Sequence, residues 1–137
     1  LNALIHPAVA MAIRRAWLDS HAAVPTSRHE EGGYIVQNSD GSYGVDRWPR
    51  GERSQIVPPP LDPDNRYNGR IVMAAFHTHP NPPVDESGSI WDQRPSESDR
   101  RWHVRRKLRG IVVSGEVVFE IDLDGTVSVL GKRLEMF

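Results

Sequence analysis

Two histidines, His77 and His79, stand at the end of the apolar run Ile71-Val72-Met73-Ala74-Ala75-Phe76, and Pro80 follows closely. That run reads as a buried strand. Side chains on a strand alternate faces, so residues two apart leave the same face about 6.5–7 Å apart along the backbone. Two imidazoles placed in this way can meet one ion. Pro80 cannot donate to a ladder, which stops the strand just past His79 and leaves both rings at an open sheet end. An open end suits a metal that must keep one position free for water or substrate. His-x-His alone is short, however, and equally fits two surface or hydrogen-bonded histidines. Other residues have to decide between the two.

A hydrolytic ion site needs about three protein ligands and a nearby carboxylate that takes a proton from water and returns it to the leaving amine. The chain has no cysteine, so a transition metal here must be held by histidine and carboxylate. Asp99 is the expected third ligand, and Glu30 or Glu31, in Glu30-Glu31-Gly32-Gly33, is the candidate base.

The elements that must position these groups follow from periodicity. Pro7–Asp19 places Val9, Ala12, Ile13, Ala16 and Trp17 on one face behind a first-turn proline, an amphipathic helix. Residues 34–37 and 43–48 read as a hairpin turning at Asp40-Gly41, and the glycines at 32 and 33 mark a close backbone approach. Residues 53–57 are expected as a third strand before Pro58-Pro59-Pro60, and residues 61–69 as a surface connection. After the histidine strand, residues 81–94 form an irregular loop, in which Ile90 and Trp91 are the candidates to fold over a cleft. Ser96-Glu97-Ser98-Asp99 spells a helix capping box, and residues 111–114, 117–121 and 126–130 read as three closing strands. The expected fold is α/β in the broad sense, a mixed sheet flanked by helices, in one domain over residues 1–137.

With 17 basic and 18 acidic residues the chain is nearly neutral, which gives no electrostatic case for nucleic acid or for an acidic membrane surface. The local cluster Arg100, Arg101, Arg105, Arg106, Lys107 and Arg109 reads as a solvated helix face, with a substrate or partner contact as the alternative. No apolar run approaches the roughly 20 residues of a membrane span, so a soluble protein is expected. The chain starts at Leu1 rather than methionine, as a fragment of a longer protein would.

Glu-x-Gly-Gly, then His-Thr-His-Pro, then Pro-Ser-x-x-Asp, in this order, resembles the JAMM (JAB, MPN+) metalloprotease family. The resemblance covers residues 30–99 in motif and the flanking elements more loosely. It implies a JAB/MPN-like fold and one zinc ion per chain held by His77, His79 and Asp99. It also implies Glu30 as general base, two positions before the first glycine, and Ser96 as a donor to the oxyanion. Two alternatives stay open. Ser96 and Asp99 can serve as a helix cap alone, and the long segment between His79 and Ser96 lets Asp85 or Asp92 compete with Asp99. Gly-Gly-Tyr-Ile-Val-Gln-Asn-Ser-Asp-Gly-Ser-Tyr with His-Thr-His-Pro-Asn is similar to bacterial JAB-like domains at the ends of secreted polymorphic toxins and effectors.

The resemblance thus implies a zinc peptidase or isopeptidase acting on a protein or peptide, and for a toxin domain an immunity protein as partner. Such a domain is delivered by a non-classical route into a target cell; otherwise the chain is cytoplasmic. An amidase acting on cell-wall peptides or another small amide uses the same site. A non-catalytic MPN-type interaction module is the reading from a different class. No nucleic-acid or membrane partner is expected, and the oligomeric state is left open.

Overall fold

The computed structural model describes residues 2–137. A 3-10 turn at Asn2–Ile5 leads into α1 (Pro7–Asp19), followed by strands β1 (Gly32–Gln37), β2 (Tyr43–Arg47), β3 (Arg66–Tyr67) and β4 (Arg70–His79). Helix α2 (Glu97–Arg106), strands β5 (Arg109–Ser114), β6 (Val117–Ile121) and β7 (Val127–Lys132), and the short α3 (Arg133–Met136) complete the chain. The seven strands form one sheet in the order β2-β1-β4-β5-β6-β7, with β3 also paired to β4. The fold is therefore mixed α/β, as the periodicity implied. No helix among the described residues is long and apolar enough to cross a membrane.

Only β4 and β5 run parallel, because α2 carries the chain back between them as a crossover. Their parallel register sets His77 opposite Val112 and His79 opposite Ser114. Both histidines thus lie at the carboxyl ends of the two central strands, the end toward which open α/β sheets present ligand sites.

The sheet buries both faces. Val9, Ile13 and Ala16 of α1 pack with Ile35, Ala74, Phe76, Ile111 and Val113 on one side. Tyr34, Val36, Trp48, Val72, Ala75 and Leu108 pack on the other, with Trp102 of α2 against them. A register shift in the β1–β4 ladder sets Ala74 opposite Ile35 and Val72 opposite Val36, which leaves Met73 unopposed. This bulge keeps Val72 and Ala75 on one face although they are three residues apart.

Two expectations need correction. Residues 53–57 are not a strand: the Glu52 N–H bonds back to the Gln55 carbonyl, and the three prolines that follow have no N–H to offer a ladder. Ile56 instead packs against the Tyr34–Trp48 side of the core. Residues 61–69 are not merely a connection, because β3 pairs with β4 through a tight turn at Asn68 (φ 51°) and Gly69 (φ 76°). Two successive positive φ values make this the kind of turn that Asn-Gly favours.

Candidate metal centre

The alternation of β4 turns His77 and His79 to the α2 side of the sheet, and their Nε2 atoms lie 3.1 Å apart. Asp99 Oδ2 lies 3.4 Å from each of those nitrogens. Nitrogen and oxygen donors about 2.0–2.1 Å from a tetrahedral zinc stand about 3.3 Å from one another, so this triangle has the size such an ion requires. Glu30 adds a fourth group: the ligand atoms of Glu30, His77 and His79 all lie within 4.8 Å of one another, and these three residues can hold a metal ion.

Two of these side chains, Asp99 and His79, are held from behind. Ser96 caps α2 by accepting the Asp99 N–H at 3.0 Å, while its own N–H donates to Asp99 Oδ2 at 2.9 Å. The capping box expected from the sequence is thus formed, and it aims the Asp99 carboxylate at the histidines. His79 Nδ1 lies 3.3 Å from the Gln93 carbonyl. A carbonyl can only accept, so Nδ1 carries the proton and the Nε2 lone pair is left for an ion. Gln93 is itself fixed through its amide, which donates to the Asn81 and Trp91 carbonyls.

Glu30 and Glu31 separate cleanly. Glu31 accepts from Arg47 at 2.6 Å and lies 2.5 Å from His29 Nε2. Glu30 is buried at 6% exposure, and its carboxyl has no ion pair or hydrogen bond to another described residue beyond its electrostatic coupling to the histidines and Asp99. Gly32 and Gly33 are required by crowding. A Cβ at Gly32 would lie 2.5 Å from the Trp48 ring and 2.7 Å from the Phe76 carbonyl oxygen.

Burial raises the Glu30 pKa, with His77 and His79 pulling the other way. For Asp99 burial also pushes upward, but the hydrogen bonds of the two histidines and the charge of His77 win and hold it well below the usual carboxylate range. Burial lowers the His77 pKa, and the Asp99 and Glu30 carboxylates more than reverse this. The centre is thus a compact acid–imidazole cluster that stabilises positive charge among its donors.

The cluster lies in a cleft of about 840 Å³, bounded by residues 54–58 on one side and by Trp91, Asp92 and Arg94 on the other. Arg53 fastens these two walls together, donating to Asn81 Oδ1 and Asp85 Oδ2 at 3.0 Å each. Trp91 lines the cleft as the sequence suggested, whereas Ile90 is 84% exposed.

Asp85 is spent on the loop and not on the centre. Its carboxylate accepts from Ser87, Ser89, Trp91 and Arg53. Asp92 lines the cleft and accepts the Arg94 N–H at 2.9 Å. The structure therefore gathers Glu30, His77, His79 and Asp99, and places Ser96 at the rim of the same cleft. Sequence reasoning missed Arg53, Asn81 and Gln93, which act through contacts 12 to 32 residues apart. No short motif carries that signal.

The basic cluster is largely a solvated face. Arg100 bonds the Gly125 carbonyl, Arg101 pairs with Glu97, and Arg109 pairs with Asp122 and Glu120. No family model matches the chain, and no curated protein is significantly similar to it.

Proposed function

We propose that the chain is a zinc-dependent hydrolase of amide bonds in proteins or peptides, of the JAMM type that its motifs resemble. The observation that carries this reading is the His77–His79–Asp99 triangle of 3.1, 3.4 and 3.4 Å beside a buried carboxyl, Glu30, that pairs with no base. Asp99 is taken as the third ligand because both of its separations match a tetrahedral set, which leaves Glu30 for proton transfer.

Zinc held by His77, His79 and Asp99 would supply Lewis acidity, which acidifies water and polarises an amide carbonyl. The protein supplies the rest. Glu30 takes the proton of the attacking water, and burial, which raises its pKa, makes it a stronger base. The same carboxyl then delivers that proton to the leaving nitrogen. Ser96 accepts the Asp99 N–H through its oxygen, so its O–H is free to donate toward the charge that develops on the carbonyl oxygen. The cleft holds the polypeptide against Trp91 and Trp102.

We place the domain in a secreted bacterial effector, neutralised at its source by an immunity protein; this rests on the resemblance of residues 32–43 and 77–81 alone. The test is elemental analysis of the purified protein beside His77→Ala, followed by hydrolysis of peptide, ubiquitin-like and peptidoglycan substrates with and without a chelator. About one zinc per chain, lost in the variant, with chelator-sensitive cleavage, supports the reading. Absence of zinc after reconstitution overturns it in favour of an interaction module.

A further inference from the structure

We infer that Arg94 is a specificity residue that binds a carboxylate of the substrate beside the scissile amide. The inference rests on the proposed amide hydrolysis and names a feature of the substrate. Arg94 is the one lysine or arginine among the described residues lining the cleft. Its side chain makes no ion pair or hydrogen bond to any other described residue. This sets it apart from its neighbours, since Arg53 is engaged with Asn81 and Asp85, Arg100 with Gly125 and Arg101 with Glu97.

Its backbone is nonetheless anchored at the centre. The Arg94 N–H is held by Asp92 Oδ1 at 2.9 Å, and Pro95, which follows, is buried. The residue before it, Gln93, holds His79, and Ser96, two residues on, caps the helix that bears Asp99. From this anchored backbone the exposed guanidinium offers a planar fork that matches a carboxylate. Glu97 and Ser98, in the first turn of α2, line the same cleft. Arg94 is therefore the cationic side chain of a space that the candidate centre also lines.

A single negative charge fits better than two. Asp92 and Glu97 line the same cleft, and a dianionic phosphate would meet their repulsion with one arginine to offset it. The carboxylate can come from a peptide's free C-terminus or from an acidic side chain. Both offer the same group to Arg94.

The experiment compares three short peptides on the zinc-loaded protein: one with a free C-terminal carboxylate, one amidated with an internal glutamate, and one amidated and neutral. Faster cleavage of either anionic peptide supports the inference, and which of the two is preferred names the source of the carboxylate. In Arg94→Ala the preference should vanish through a KM about tenfold or more higher, with Arg94→Lys recovering part of it. Arg105→Ala, outside the cleft, serves as the control. Equal cleavage of all three by the wild type, or an unchanged preference in Arg94→Ala, overturns the inference and leaves the hydrolase reading standing. If no peptide is cleaved, the hydrolase reading fails. Titration of N-acetylglycine, followed by tryptophan fluorescence, then decides: weaker binding to Arg94→Ala supports the carboxylate site, and equal or absent binding overturns it.

Discussion

Thr78 Oγ1 accepts the Glu31 backbone N–H at 3.0 Å and lies 2.7 Å from Ser20 Oγ. The residue between the two candidate histidine ligands thus fixes the peptide that follows Glu30 and ties it to the end of α1. Thr78 is fully buried, so Thr78→Val keeps the volume and strands the Glu31 N–H, while Ser20 Oγ keeps its bond to the Ala16 carbonyl. The expected cost is about 1–3 kcal/mol, read by denaturant titration, with metal content preserved. Hydrolysis should fall as well, because Glu30 loses its fixed position; an unchanged rate would mean that this bond does not position the base.

Asp99→Ala should abolish tight metal binding, since the carboxylate stands 3.4 Å from both imidazoles. Asp85→Ala and Asp92→Ala should keep the metal. Because Asp85 gathers the N–H and O–H donors of residues 87–91, its loss should open the loop to limited proteolysis at residues 81–94. Metal titration of the three variants checks this, and metal loss in Asp85→Ala would reassign the ligand.

The neighbouring glutamates should behave oppositely. Glu30→Gln retains the metal and loses about 10²–10⁴-fold in rate. Glu31→Ala removes the partner of Arg47 and His29 and should cost about 1–3 kcal/mol of stability. Turnover undiminished in Glu30→Gln would remove it as the base.

His103, which lines the same cleft one helical turn beyond Asp99, offers a pH test on a residue outside the candidate ligand set. Burial holds its pKa down to about 4, with the hydrogen bond to the Leu108 carbonyl opposing, against about 6.5 when unfolded. Between those values the unfolded chain binds more protons, so stability rises with pH. The contribution is fully present above about pH 6.5 and is lost as pH falls toward 4, on the order of 3 kcal/mol in all. His103→Asn keeps a donor and cannot titrate, so its stability should vary less across this window. Equal slopes in the two proteins would mean that another group titrates.

Much of this architecture is legible from local pattern. Pro7 and the 3.6-residue spacing of Val9, Ile13 and Ala16 give α1, Asp40-Gly41 gives the first hairpin, and Ser96 with Asp99 gives the start of α2. His77 and His79 are found because a two-residue period is also the period of a strand. The failures are cases where distant contacts decide. Ile56 and Val57 look like strand residues, yet the turn at Glu52–Gln55 and the prolines behind them deny a ladder. Asn68-Gly69 carried a turn signal that the surrounding polar residues masked. The anchoring of Arg53 on Asn81 and Asp85 has no counterpart in local sequence at all.

The unopposed Met73 gives β4 two phases, one before it and one after. Counted from Val72 in strict alternation, Ala75, His77 and His79 would all turn toward α1, and Phe76 would take the place beside Trp102. A deletion of one residue between Met73 and His77, with the bulge kept, would leave composition and hydropathy nearly untouched, yet it would turn both imidazoles toward Ile13 and Ala16 and empty the cleft of its donors, whereas deletion of Met73 itself would remove the bulge and leave them facing α2. Length variation between the bulge and the histidines is therefore penalised by parity. The hairpin at residues 38–42, which holds no such phase, is free to vary in length.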